Sequence, residues 1–249
     1  MKVSTWNKTY LFSITGILVL ILGWIIVSTT ANDALIFPKI DQIASQLLNI
    51  FSETKNLKYI AFDIIRIIYS IVISFGVAIL VVFIYIRFRG SYHFLKPILI
   101  FLKTIPIVAI SLFILLLVGN KNVPIITTIL VTTPVVIGGL VGAIDSMDKN
   151  LVDELKMVNN NHFIAFFHVY LPYLAPYLFI SFFQTFGLGL KVMVTSEYLS
   201  QTKNSIGKAL YNAQMNLAID EILAWSIIII VFVGISEIII KGISKKLDY

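Results

Sequence analysis

The side chains able to do chemistry are few, and they fall in two places. The denser group lies between Asp145 and Pro176, in DSMDKNLVDELKMVNNNHFIAFFHVYLPYLAP. Here Asp145, Asp148, Asp153 and Glu154 alternate with Lys149 and Lys156, ahead of three Asn and two His. The second group is a scatter of single polar residues in or beside apolar runs: Lys103, Gln184, Lys191, Glu197 and Glu237. Neither group is a catalytic constellation. The chain has 0 Cys, which excludes thiolate ligands, disulfides and Cys nucleophiles. His162 and His168 share no helical ligand spacing and His93 is remote, so no metal site is expected. A Gly-rich phosphate loop, a nucleophile elbow and an HExxH pair are all absent. The expectation is a chain with no catalytic site and no cofactor of its own. Its polar segment would then be a surface that docks a soluble partner.

Composition says what surrounds these residues. The chain is 58% hydrophobic and only 13% charged. A soluble domain carries roughly 25% charged residues. Lipid is therefore the solvent for most of the chain. The net charge of +6 fits Lys and Arg holding cytoplasmic loops rather than a nucleic-acid surface.

The positioning elements are apolar runs of bilayer length, and the expected fold is all-α and polytopic with six transmembrane helices. The first run, within residues 1–31, has about 22 residues from Thr9 to Thr30, enough to cross a hydrocarbon core of about 30 Å. A signal peptide is the competing reading, but its apolar core would be about 7–15 residues, so a retained span is expected. Residues 32–60 are expected outside the membrane. There Phe37-Pro38 stops a helix, and Ile40, Ile43, Leu47, Leu48 and Phe51 recur at the spacing of an amphipathic one. Residues 61–243 should hold the other five spans. The second, at 61–86, opens with Asp63 and Arg66, which can pair across one turn or simply snorkel to the interface. The third, at 94–118, contains Pro97, Lys103 and Pro106. Lys103 either faces a polar cavity beside the freed backbone or marks the membrane edge. The fourth, at 123–144, carries Gly138, Gly139 and Gly142 as a small-residue face.

The polar segment at 145–171 then reads as two helices outside the membrane. Asp148 or Asn150 can cap the first, and Asn159-Asn160-Asn161 ends it. The second, FIAFFHVYL, stops at Pro172. The fifth span is expected at 173–195, a polar loop with short helical pieces at 196–220, and the sixth span from Leu217 or Glu221 to Ile243. Residues 244–249 form a tail. Six spans put both termini on one side. Lys2, Lys8, Arg87, Arg89, Lys149, Lys156, Lys241, Lys245 and Lys246 outweigh Lys39, Lys55, Lys58, Lys121, Lys203 and Lys208, which places the termini and the polar segment in the cytoplasm of a cell-membrane protein.

The polar segment and its flanks resemble the permease subunits of ATP-binding-cassette importers, in particular the nitrate/sulfonate/taurine-type group. That family carries Glu-Ala-Ala, three residues, Gly, then a return through Leu-Pro. Here Asp153 stands at the Glu position, Glu154 and Leu155 at the two Ala positions, and Asn159 at the Gly position. Leu171-Pro172 matches the closing pair. Asn in place of Gly is lenient because both reach left-handed angles. Glu in place of Ala alters the surface offered to the ATPase. Phe37-Pro38 before IDQIASQLL, the stretch from Asp63 to Arg66, KTIPIVAISLFILLLVGN and VTSEYLSQTKNSIGKAL resemble further family segments in order, over residues 34–243.

The resemblance implies a type I importer. Two permeases, alike or different, would pair with two cytoplasmic ATP-binding subunits, and an extracytoplasmic binding protein would deliver the cargo. ATP would sit on the partner, and no cofactor on this chain. Asp153, Glu154, Leu155, Lys156, Asn159 and Asn160 would form the coupling helix that docks the ATPase. Lys103, Gln184, Lys191 and Glu197 are the candidates to line a path for a small polar or anionic solute, such as a sulfonate, nitrate, taurine or a thiamine-precursor pyrimidine. Lys191 and Glu197 belonging to the outer interface, or pairing with each other, is the plainer alternative. An ion-coupled secondary transporter is the rival function. It would need intramembrane acid or His relays, and only Glu237 lies deep in an apolar run.

Overall fold

The computed structural model of the chain describes residues 3–31, 36–148 and 162–247. Among the described residues the regular structure is entirely helical. The elements are α1 (Val3–Thr30), α2 (Ile40–Ser52), α3 (Thr54–Arg87), α4 (Gly90–Thr104), α5 (Ile107–Val118), α6 (Val123–Asp145), α7 (His162–Ala165), α8 (Leu171–Ser200), α9 (Ile206–Met215) and α10 (Ile219–Leu247). A π-helical turn, Phe166–Tyr170, joins α7 to α8.

Among the described residues, four helices are long and apolar enough to cross a membrane: Thr54–Arg87, Val123–Asp145, Phe163–Ser200 and Ile219–Gly242. The bent pair Gly90–Thr104 and Ile107–Val118 makes a fifth if it counts as one span, and Thr15–Thr30 is a shorter apolar helix.

Three of these differ from the sequence expectation, each for a local reason. The second span begins at Thr54 rather than 61, because only Glu53, in an extended conformation, separates α2 from α3. The third run is two helices that meet at 99°. Pro106 lacks an N–H and the Ile105 residue before it is extended, so the helix stops and restarts there. Pro172, by contrast, ends nothing. The π turn before it shifts the hydrogen-bonding, with the Leu171 N–H donating to Phe166 O, and Pro172 falls in the first turn of α8, where its missing donor costs little.

The centre of the bundle is α6, packed between α3 and α8. Lipid tails are as apolar as Leu, so helices in a membrane associate through close approach and hydrogen bonds rather than apolar burial. The buried face of α3 shows both. Ile67, Ser70, Ile71, Ser74, Ala78, Val82 and Tyr85 recur every three or four residues, and Ser74 Oγ meets Thr132 Oγ1 of α6 at 2.8 Å. Its opposite face leaves Ile65, Val72 and Leu80 exposed. On the other side of α6, a Cβ at Gly139 would lie 3.1 Å from Ser181 Oγ of α8. A Cβ at Gly189 would lie 3.3 Å from Thr128 and 3.4 Å from Thr132. α2 buries Ile43 and Ile50, whereas Ile40, Leu48 and Phe51, expected on its apolar face, are exposed. It packs on α10.

Candidate functional site

Three polar side chains expected to line a path, one on α4 and two on α8, are exposed. Lys103 sits in the last turn of α4, just before the break at Pro106. Its ammonium lies over Gly138, where a Cβ would come within 3.1 Å of Nζ. Gly139, the next residue, touches Ser181 of α8. Gln184 follows Ser181 by one turn, and Lys191 shares its face two turns later. Lys103, Gln184 and Lys191 are all exposed. A Lys at mid-bilayer costs about 2.5–3.5 kcal/mol even by the mildest scale.

Glu197 is not among the exposed three. The side chain is fully buried at the far end of α8. Arg66 Nη1 donates to Glu197 Oε1 at 3.1 Å and to Asp63 Oδ1 at 2.9 Å. The same guanidinium donates to the backbone carbonyls of Asn204 at 3.1 Å and Lys203 at 3.0 Å. The free carboxylate oxygens then receive the start of α9: Ile206 N–H on Asp63 Oδ2 at 2.8 Å, and Gly207 N–H on Glu197 Oε2 at 3.4 Å. Those are helix N-terminal donors with no partner inside the helix, and two carboxylates suit that end of the dipole. Ser205 completes the cap by accepting from Lys208 N–H at 3.0 Å.

Close packing makes this geometry possible. A Cβ at Gly207 would lie 2.5 Å from Tyr198 N and 2.7 Å from Val194 O, so only Gly lets α9 lie on the backbone of α8. Thr202 Oγ1 donates to Asn120 O at 2.8 Å, which ties the α5–α6 turn to the same cluster. Beside it opens a cavity of about 520 Å³. Arg66, Lys121 and Lys203 line it with the amides of Asn120, Gln201 and Asn204.

The opposite end of the bundle has its own polar cluster. Asp145 Oδ1 accepts from the Tyr85 hydroxyl at 2.6 Å and from Arg89 Nη1 at 2.7 Å. Arg89 also donates to the Tyr85 oxygen at 2.8 Å and stacks over its ring, 4.7 Å from the centroid. This pins the α3–α4 corner to the last residue of α6.

The four residues expected to line a path thus divide. Lys103, Gln184 and Lys191 are exposed on the bundle, whereas Glu197 belongs to the buried cluster and pairs with Arg66, not Lys191. Asp63 and Arg66 do pair, and burial of Asp63 rules out simple snorkelling. Neither cluster was found from sequence beyond that pair. A carboxylate at the end of an apolar run does demand a cation, but the one that answers Glu197 lies 131 residues away. Asp153, Glu154, Leu155, Lys156, Asn159 and Asn160 lie outside the described residues. No group of three His, Cys, Asp or Glu able to hold a metal occurs among the described residues.

A family model described as binding-protein-dependent transport system inner membrane component matches residues 70–248. The match takes in Lys103, Gln184 and Lys191, the segment 149–161, Glu197 and Gly207, and leaves out α1, α2, Asp63 and Arg66. No curated protein matches the chain.

Proposed function

The chain belongs to the inner-membrane components of binding-protein-dependent transport systems, and from that premise we propose that it is the permease of an importer for a small polar or anionic solute. As a member of that family it is a multi-pass membrane component of an ATP-binding-cassette transporter, one that works with an ATP-binding subunit and a substrate-binding protein. The finer reading is ours. The permease has six spans: α1, α3, the α4–α5 pair, α6, α8 and α10. Both termini and the segment 149–161 are cytoplasmic, and two permeases meet two ATPase subunits.

The observation that carries this reading is the exposure of Lys103, Gln184 and Lys191 on apolar helices, within a family match that runs through them. A second permease facing this surface would leave a polar path between the two. Two cations on it suit the nitrate, sulfonate and taurine class of cargo. Asp153, Glu154, Leu155, Lys156, Asn159 and Asn160 would dock the ATPase, whose closure on ATP biases the bundle between two openings. ATP is bound by that partner, and this chain contributes no catalytic group.

The test is affinity purification of the tagged chain from its native membrane. Recovery of a cytoplasmic ATPase, lost when Asp153→Lys and Glu154→Lys are introduced, supports both the importer reading and the docking site. Recovery of the chain alone, folded in mild detergent, counts against it and favours an ion-coupled carrier.

A further inference from the structure

One face of α3 changes character along its length. Lys55, Lys58, Phe62, Ile65, Tyr69 and Val72 follow one another in alternating steps of three and four residues, the spacing of a single helix face, and all six are exposed. α3 has 34 residues, about 51 Å of helix against a hydrocarbon core of about 30 Å, so its first turns project beyond the core. The two lysines stand in those turns. Tyr59 beside them holds the position that aromatic rings favour at a membrane interface. From Phe62 to Val72 the face is apolar for about 15 Å, the depth of one leaflet's hydrocarbon.

A recess lies where the charged and apolar parts of this face meet. Lys55, Lys58, Tyr59, Phe62 and Asn204 line a cavity of about 550 Å³. Asn204 also lines the cavity of about 520 Å³ that holds Lys121 and Lys203, so the two adjoin. Among the described residues no Asp or Glu lines either one. Arg66 is answered by Asp63 and Glu197, but none of the four lysines has a carboxylate partner among the described residues. The Lys55 ammonium lies 5.8 Å from the Tyr59 ring centroid, which holds it against a wall of the recess. Positive charge without a counter-ion, set above an apolar face one leaflet deep, is the complement of an amphiphile with an anionic head.

We propose that this recess binds one phospholipid with an anionic headgroup. The phosphate and headgroup oxygens sit between Lys55 and Lys58, with the Asn204 amide as a further donor. One acyl chain runs down Phe62, Ile65, Tyr69 and Val72. A free anion would use only the upper half of this arrangement, and a bare hydrocarbon only the lower. None of Lys103, Gln184 and Lys191 lines the recess, so it is distinct from the residues assigned to the cargo. Asn204 O accepts from Arg66 Nη1 at 3.1 Å, so a lipid bound there braces the loop at 201–205 against α3.

The full chain, purified in mild detergent, is given equal amounts of dioleoylphosphatidylglycerol and dioleoylphosphatidylcholine, and the lipid it retains is counted by native mass spectrometry. One phosphatidylglycerol per chain is expected, favoured over phosphatidylcholine by about 25-fold, or about fivefold for each of Lys55 and Lys58, the worth of a lysine beside an anionic lipid. Lys55→Gln with Lys58→Gln should bring the preference close to one. Both side chains are exposed, so this variant should keep the unfolding midpoint measured in phosphatidylcholine. Phe62→Ala should weaken retention of both lipids alike and leave their ratio unchanged. Arg87→Gln with Lys96→Gln removes the same charge from exposed positions at the other end of the bundle and should leave the preference intact. A ratio near one in the unmodified chain overturns the site, as does an equal loss of preference in the Arg87 and Lys96 variant. Displacement of the lipid by excess inorganic phosphate also overturns it, since the recess would then serve a free anion. A preference that survives in the Lys55 and Lys58 variant, while a co-purifying binding protein is lost from it, gives the recess to protein docking instead.

Discussion

Replacing Arg66 with Met should destabilise this protein more than almost any other exchange of one side chain. The guanidinium answers two carboxylates, Asp63 and Glu197, both fully buried. Without it Asp63 keeps the Ile206 N–H and its side-chain hydrogen bond with Glu197, and Glu197 keeps besides that a long 3.4 Å contact with Gly207 N–H. Stranding one charge of a buried pair costs about 3–5 kcal/mol. Two further hydrogen bonds, to Lys203 O and Asn204 O, vanish with it, at about 1 kcal/mol net each. A loss near 5–7 kcal/mol would consume much of the roughly 5–15 kcal/mol that holds a typical fold. Arg66→Lys keeps the charge but not the fork that spans two carboxylates and two carbonyls, so it should fall in between. Adding Asp63→Asn and Glu197→Gln to Arg66→Met removes the stranded charges and should recover most of the loss. The assay is denaturant unfolding in detergent micelles followed by tryptophan fluorescence, because Trp225 is fully buried in the same cluster as Ile67 and Ile206. Arg66→Met within about 1 kcal/mol of the unmodified chain would refute the reasoning. So would a triple variant no more stable than the single one.

Gly207→Ala drives a methyl into the backbone of α8 at Tyr198 and Val194. It should cost about 1–3 kcal/mol, with protease access at 201–205 rising in step. Lys191→Met should leave the unfolding midpoint unchanged, because the side chain is exposed. It should nevertheless lower uptake of a labelled alkanesulfonate into membrane vesicles roughly tenfold, the worth of one charged hydrogen bond. Unchanged uptake would remove Lys191 from the path.

Hydropathy is a local property, and what depends on it was legible in the chain. The crossing helices α3, α6, α8 and α10 and the amphipathic α2 stand close to their expected positions. Local covalent chemistry was legible in part. Pro106 broke its helix, but Pro172 did not, because the π turn before it opened a register that sequence period does not reveal. Tertiary pairing was not legible at all. Asp63 and Arg66 are three residues apart and could be matched, whereas Glu197 reaches Arg66 only through the fold, and Asp145 meets Tyr85 across 60 residues. Gly207 stood out in sequence only within a family-like segment. The need for it comes from the approach of α9 to the backbone of α8.

The break between α4 and α5 also constrains how this protein is made. α5 has 12 residues and α4 has 15, about 18 and 22 Å of helix against a hydrocarbon core of about 30 Å. Neither arm can settle in the bilayer by itself, and α4 brings the charge of Lys103 to the elbow. The two arms cross only as a unit, and in the folded bundle Gly138 of α6 supplies the surface on which the ammonium rests. A chain interrupted between Val118 and Val123 would present the membrane with a hairpin it cannot hold.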